Sequence, residues 1–304
     1  MERQVAAVTG LDPGLRVDVH FVDGKTTSWA YVRENPRVAA RLAGGGYDLL
    51  HVHYGLTALA CLLRPRRVPW IVSVYGSDVN LGWQRAIVRS LSRSAAARIA
   101  VSETLARRLG APCEVIPVGV DLASVRPEPA ASARRRLGLD PDRRYVLFGA
   151  DPARSVKGYP LFRETVALLR ARDPRVDELV LWEPGQPHER VVAKMNAADL
   201  LLFTSLPGSE GAPVVIREAL AVNLPIVSVD VGDARSLLAG VGACALGPWN
   251  AEALAELCLQ TLARGGRSDG RERREREIDA RESDRRIVEL YHRVARRRPE
   301  EPRA

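Results

Sequence analysis

The sequence predicts an α/β protein built from two parallel-sheet domains, and three observations carry that expectation. Short β-branched apolar runs alternate with longer helix-like stretches through most of the chain, the pattern of parallel sheets covered by helices. The strand-like runs fall into two series separated by a change of composition. At 304 residues, with 46% hydrophobic and 27% charged residues, the chain can bury two medium cores.

Residues 2–8 read as the back half of a helix, leading through Gly10 and Pro13 to a first strand at 17–22. A parallel domain normally opens with a strand and a glycine-rich turn at a helix N-terminus. Neither precedes this helix, so in-frame codons upstream of Met1 are expected to encode them. Strands follow at 49–53, 70–75, 98–101 and 114–117. The second series is placed at 145–148, 178–182, 200–204, 225–229 and 243–246. Between the series, residues 121–144 contain Pro127, Pro129, Pro141 and arginines at 134–136, which mark a boundary. The domain scheme is therefore 1–125, a linker at 126–144, a second domain at 145–285, and a last helix and tail at 286–304. In 264–304, 14 arginines face 10 acidic residues with interleaved signs, the mark of a solvated helix laced with ion pairs. Ile287, Leu290, Tyr291 and Val294 form one apolar stripe along it.

Composition excludes several classes. No apolar run approaches the roughly 20 residues of a membrane span, and Glu2, Arg3 and Gln4 follow Met1 where a signal peptide would turn basic and apolar. A cytoplasmic protein is expected. Cys61, Cys113, Cys244 and Cys258 show no paired spacing, which argues against zinc or a disulfide framework. The net charge of +8 comes almost wholly from arginine, with Lys25, Lys157 and Lys194 the three lysines. With no nucleic-acid motif beside it, that bias reads as codon usage, and no nucleic-acid partner is expected.

The most informative segment is 205–233, SLPGSEGAPVVIREALAVNLPIVSVDVGD. It follows the apolar strand at 200–204, whose end should lie at the carboxyl edge of a parallel sheet, where α/β folds place ligands. Pro213 suits the first position of a helix. The free N–H groups of Val214 and Val215 would then point outward at the helix's positive end, where a diphosphate is a natural guest. Glu218 lies about one turn into that helix. A carboxylate so near a phosphate is best used as a hydrogen-bond acceptor for hydroxyls such as a ribose diol. Arg154 and Lys157, together in the loop after 145–148, could neutralise charge on a departing diphosphate.

Glu210 and Glu218, with Ala219, Asn223, Pro225 and the strand leading to Val231, Gly232 and Asp233, resemble the donor-site signature of retaining GT-B glycosyltransferases of family 4, the group 1 enzymes. The branch most resembled builds cell-surface polysaccharides, teichuronic-acid-type enzymes among them. DLLHVHY at 48–54, WIVSVYGSDV at 70–79, AVSE at 100–103, VIPVGVD at 115–121 and AADLLLFTS at 197–205 match in order and approximate spacing. The resemblance runs from about residue 2 to about residue 247. It implies a GT-B fold, two Rossmann-like domains facing across a cleft, with the N-terminal domain incomplete and the last helix crossing back to it.

What the resemblance implies about function is specific. The activity would be metal-independent, retaining hexosyl transfer from a UDP- or GDP-linked sugar to a glycan or lipid-linked acceptor, with no cofactor. Glu218 would accept from the ribose hydroxyls. Glu210 would accept from the transferred sugar, beside the N–H groups of Gly211 and Ala212, and Arg154 and Lys157 would hold the diphosphate. Residues 182–185 either border the base or place Trp182 in the core. On the acceptor side stand His53, Tyr75 and Asp78. His51 and His53 share one strand face and, lacking a third ligand, form no metal site. A structural histidine is the alternative for His53, and a helix N-cap for Asp78. Tyr75 replaces the histidine usual in the family, which removes imidazole chemistry at that position. The Arg154 to Lys157 gap is also shorter than the family's. A lipid-linked acceptor and the basic balance suggest peripheral contact with the inner membrane face through Arg64, Arg66 and Arg67. The rival reading is a glycosyltransferase-like module that binds a nucleotide sugar or supports a partner without catalysis; hydrolysing epimerisation is weaker, lacking its paired-acid pattern.

Overall fold

The computed structural model describes residues 2–24 and 29–296, so the last eight residues of the tail lie outside it. The chain forms two compact units: Met1–Pro117 with Arg281–Ala304, and Val118–Ala280.

In the first unit β1 (Leu50–His53), β2 (Trp70–Val74), β3 (Ala97–Ala100) and β4 (Glu114–Val115) form a parallel sheet in that order. Neighbouring residues of β2 serve opposite faces. Trp70 and Val72 pack with Val38, Leu42 and Val52, whereas Ile71 packs with Val8, Ile99 and Ile116. A strand covered on both sides reads as a nearly continuous apolar run, broken in β2 only by Ser73, which is why β2 is plain in the sequence. The second face is closed by the helix Glu2–Leu11 and the closing helix Ala280–Ala295, through Val8, Ile287, Leu290 and Val294. Each of these side chains contributes about 1.5–3 kcal/mol by leaving water.

The strand expected at 17–22 is absent. Val17, Val19 and Phe21 alternate as a strand should, yet they are 38%, 50% and 80% exposed, and β1 ends the sheet without pairing to them. Alternation describes a strand only where a ladder partner and a core receive it.

The second unit has the parallel sheet β6-β5-β7-β8-β9, from β5 (Arg144–Phe148), β6 (Val176–Val180), β7 (Leu200–Phe203), β8 (Ile226–Val229) and β9 (Cys244–Gly247). The chain steps from β5 outward to β6 and then back past it to β7, so the loops leaving β5 and β7 diverge. That is the switch point at which open α/β sheets bind ligands.

The stretch expected to be a linker is part of this unit. Ala130–Leu137 is a helix entered from Pro129 and ended by Gly138 at φ +68°. Arg134 is buried, bonded to Asp199 (2.6 Å) and to the carbonyls of Ala197 and Pro141, with its guanidinium over the Tyr145 ring. Proline immediately before a helix starts it rather than breaks it, and the first residue of the arginine run fastens the helix to the core.

Candidate functional site

At the switch point, backbone contacts hold the loops after β5 and β7 together. Leu206 donates its N–H to the Val156 carbonyl at 2.9 Å, and the Thr204 hydroxyl donates to the carbonyls of Lys157 (3.2 Å) and Gly158 (3.1 Å). Gly158 permits this approach: its φ is +69°, and a Cβ there would meet the Thr204 carbonyl oxygen at 2.0 Å. The joined loops bring together residues far apart in sequence. Lys157 Nζ donates to Glu210 Oε1 at 2.6 Å, and Ser205 Oγ donates to the same oxygen at 2.7 Å. Both ends of the Lys157–Glu210 pair are mostly buried, at 15% and 13% side-chain exposure.

The helix Val214–Ala221 starts beside this pair. Pro213, at φ −66° and ψ 113°, stands one place before the helix as its N-cap rather than at its first position. The N–H groups of Val214 and Val215 therefore open the helix and have no hydrogen-bond partner among the described residues. Two glycines let the turn sit so close to the sheet. A Cβ on Gly149, just after β5, would meet Val215 at 2.8 Å; one on Gly232, at φ +60°, would meet the Gly211 carbonyl and Pro213 at 2.9 Å. Behind them Arg217, 1% exposed, is ion-paired with Asp233. The Val-Gly-Asp end of the motif thus braces the helix start. Gly211 is buried and Ala212 half-buried in the same turn.

Glu218 also has a partner. The ring of His188, the first residue of the helix His188–Ala197, lies with Nε2 at 2.9 Å from Glu218 Oε1. The hydrogen bond to Glu218 raises the imidazole pKa above its ordinary value, with burial opposing. Sequence reasoning missed His188 and Ser205. Pro187 preceding a His-Glu-Arg helix start was a signal for the first, and the end of the 200–204 run for the second. Arg154 is exposed and its side chain has no partner among the described residues, so it is not drawn into the Lys157–Glu210 pair. Trp182 is 45% exposed beyond the end of β6, and thus not a core residue. No three potential metal ligands gather among the described residues.

The acceptor-side candidates form a separate constellation in the first unit. His53 Nδ1 lies 2.6 Å from the Tyr75 hydroxyl. Burial pushes His53 down to about 4 and Tyr75 up to about 12, so both are neutral near pH 7. Asp78 differs from both of its expected roles. It is fully buried, Gly76 takes the N-cap position, and its carboxylate accepts from the N–H groups of Gly55 (2.8 Å), Gly76 (2.8 Å) and Tyr75 (3.1 Å). Those three bonds set the backbone around Tyr75. His51 is bonded to Tyr291 and Ser73.

Known proteins match on the same lines. The model of Glycosyltransferase Family 4 matches residues 6–124 and that of the Glycosyl transferases group 1 matches residues 144–264. TuaC of Bacillus subtilis strain 168, a glycosyltransferase assigned to teichuronic acid biosynthesis, is 30% identical over 238 residues, covering 69% of this chain and 60% of its own length. The chain spans between about half and three fifths of the length of TuaC and of two D-inositol 3-phosphate glycosyltransferases that it also matches. Among solved structures, sucrose-phosphate synthase of Thermosynechococcus elongatus superposes with a TM-score of 0.73 at 20% identity, over 91% of this chain and 80% of that one. HepE of Anabaena in complex with UDP superposes at 0.70 and 19% identity, over 85% and 82%. The two parallel sheets are those of the GT-B fold, and with one family model on each unit and the paired glutamates at the switch point of the second, this chain belongs to the family 4, group 1 glycosyltransferases.

Proposed function

We propose that this chain moves a hexosyl group, with retention of configuration, from a UDP- or GDP-linked sugar to a hydroxyl of a glycan or lipid-linked acceptor in cell-surface polysaccharide or glycoconjugate synthesis on the cytoplasmic side of the membrane. Unit two binds the donor and unit one serves the acceptor. The observation that carries the reading is the Lys157–Glu210–Ser205 cluster at the switch point, next to the open N–H groups of Val214 and Val215. Similarity to TuaC supports the acceptor class.

In this reading the N–H groups of Val214 and Val215, with Arg154 reaching in from its loop, take the diphosphate, and Glu218 takes the ribose hydroxyls. Glu210, held by Lys157 and Ser205, accepts from the migrating sugar beside Gly211 and Ala212. The anomeric carbon–oxygen bond to phosphate breaks as the acceptor oxygen bonds on the same face. The acceptor proton passes to the leaving phosphate oxygen. The protein works by holding geometry and by stabilising the departing diphosphate.

Calorimetry in chelator tests this. UDP or GDP should bind without divalent metal, and Glu218→Ala should weaken nucleotide and nucleotide sugar alike by about 1–3 kcal/mol. Glu210→Gln should leave free nucleotide nearly unchanged and lower turnover, since a contact to the sugar matters most as positive charge develops. Unchanged binding in both variants would remove the donor-site assignment. Binding as expected with no transfer or hydrolysis would leave a nucleotide-sugar-binding module.

A further inference from the structure

Each carboxylate of the donor-side pair has its own base, delivered by a different loop. Glu210 meets Lys157 at 2.6 Å, and Glu218 meets His188 at 2.9 Å. Lysine keeps its charge near neutrality, whereas imidazole gains or loses its charge within the physiological range. We propose that His188 is a positioning residue and titratable counter-charge for Glu218, so that the second unit holds a nucleoside-diphosphate sugar more tightly when His188 is protonated.

The inference rests on the donor-site reading above. Glu218 is 15% exposed and sits in the helix whose first N–H groups face the expected diphosphate. A bare carboxylate there opposes a second anion. An imidazolium on Oε1 cancels that charge and leaves Oε2 for a hydroxyl; a neutral ring only fixes the orientation. The charged groups acting on the ring are Glu218 from the helix Val214–Ala221, Glu189 from its own helix and Asp121 from the segment before Ala130–Leu137, all acidic. The cations of its own helix, Arg190 and Lys194, are bonded instead to Glu183. Proton and anion binding then reinforce each other, so affinity falls as pH rises through the imidazole pKa and binding takes up protons.

The probes are UDP-glucose and GDP-mannose, whose diphosphate diesters keep constant charge between about pH 5.5 and 8.5. In the full chain, the better-bound probe should lose about three- to tenfold in affinity across that range. Calorimetry in buffers of different ionisation enthalpy should show proton uptake. His188→Gln should flatten the profile, His188→Lys should flatten it at the tighter end, and Glu218→Gln should lower the His188 pKa followed by NMR. A flat profile in the parent, or the same slope in His188→Gln, overturns the inference while the donor reading stands. No binding of either probe at any pH overturns both.

Discussion

At the scale of single residues, burial decides what the first unit's histidines can do. His51 accepts or donates between Tyr291 Oη (2.6 Å) and Ser73 Oγ (2.8 Å), and its ring centroid lies 4.0 Å from that of His53. Burial pushes both imidazoles below their ordinary value, His53 to about 4, and the His53 ring further disfavours charge on His51. In the unfolded chain both titrate near 6.5. The unfolded state therefore binds more protons below that pH, and the stabilisation, complete above it, is lost as pH falls toward about 4. Protection of β1 and β2 amides, taken against their intrinsic exchange rate at each pH, should fall over that window, and His51→Gln with His53→Gln should suppress the change; an unaltered acid response in the double variant would place its source elsewhere. Residue scale is also where sequence is least informative. Glu210 and Glu218 stand out in their motif, but Lys157 and His188 lie 53 and 30 positions from their partners. Those pairings depend on β5, β6 and β7 being adjacent, which no local pattern states.

Elements were legible where burial is two-sided. β2, β5, β7 and β8 are short apolar runs with no alternative use, whereas 17–22 carries strand alternation without a sheet to join, and Ala130–Leu137 hides a helix beneath prolines and arginines. The joined loops of the site depend on one glycine. Gly158→Ala forces a Cβ into the Thr204 carbonyl at a positive φ and should cost at least about 2 kcal/mol, with the Lys157 loop displaced and nucleotide binding weakened. Gly138, at φ +68° with open space around it, supplies the control: Gly138→Ala should cost only about 1 kcal/mol and leave binding alone. Equal losses in thermal unfolding would mean that contact with Thr204 adds nothing to the left-handed backbone.

For the whole molecule, charge and connectivity matter most. Among the described residues no helix is long and apolar enough to cross a membrane. Of the three arginines expected at a membrane surface, Arg64 stacks over Trp70 and bonds Ser94, whereas Arg66 and Arg67 are exposed, Arg67 with a bond to the Ala43 carbonyl. Arg285 of the closing helix pairs within the helix, with Glu282 and Glu289, while Asp284 pairs with Arg3 of the helix Glu2–Leu11. Leu290→Ala should destabilise the first unit by about 2–4 kcal/mol, seen as an earlier transition in calorimetry, with the transition of the second unit unmoved. A single transition shifting as a whole would show that the units melt together. The closing helix has one more consequence, for synthesis. Domains made first usually fold first on the ribosome, but Ile71, Ile99 and Ile116 wait for Ile287, Leu290 and Val294, which are translated after all of Val118–Ala280. The unit begun first is therefore finished only after the second, and a nascent chain carries an apolar sheet face covered only in part, by Val8, until the helix Ala280–Ala295 emerges.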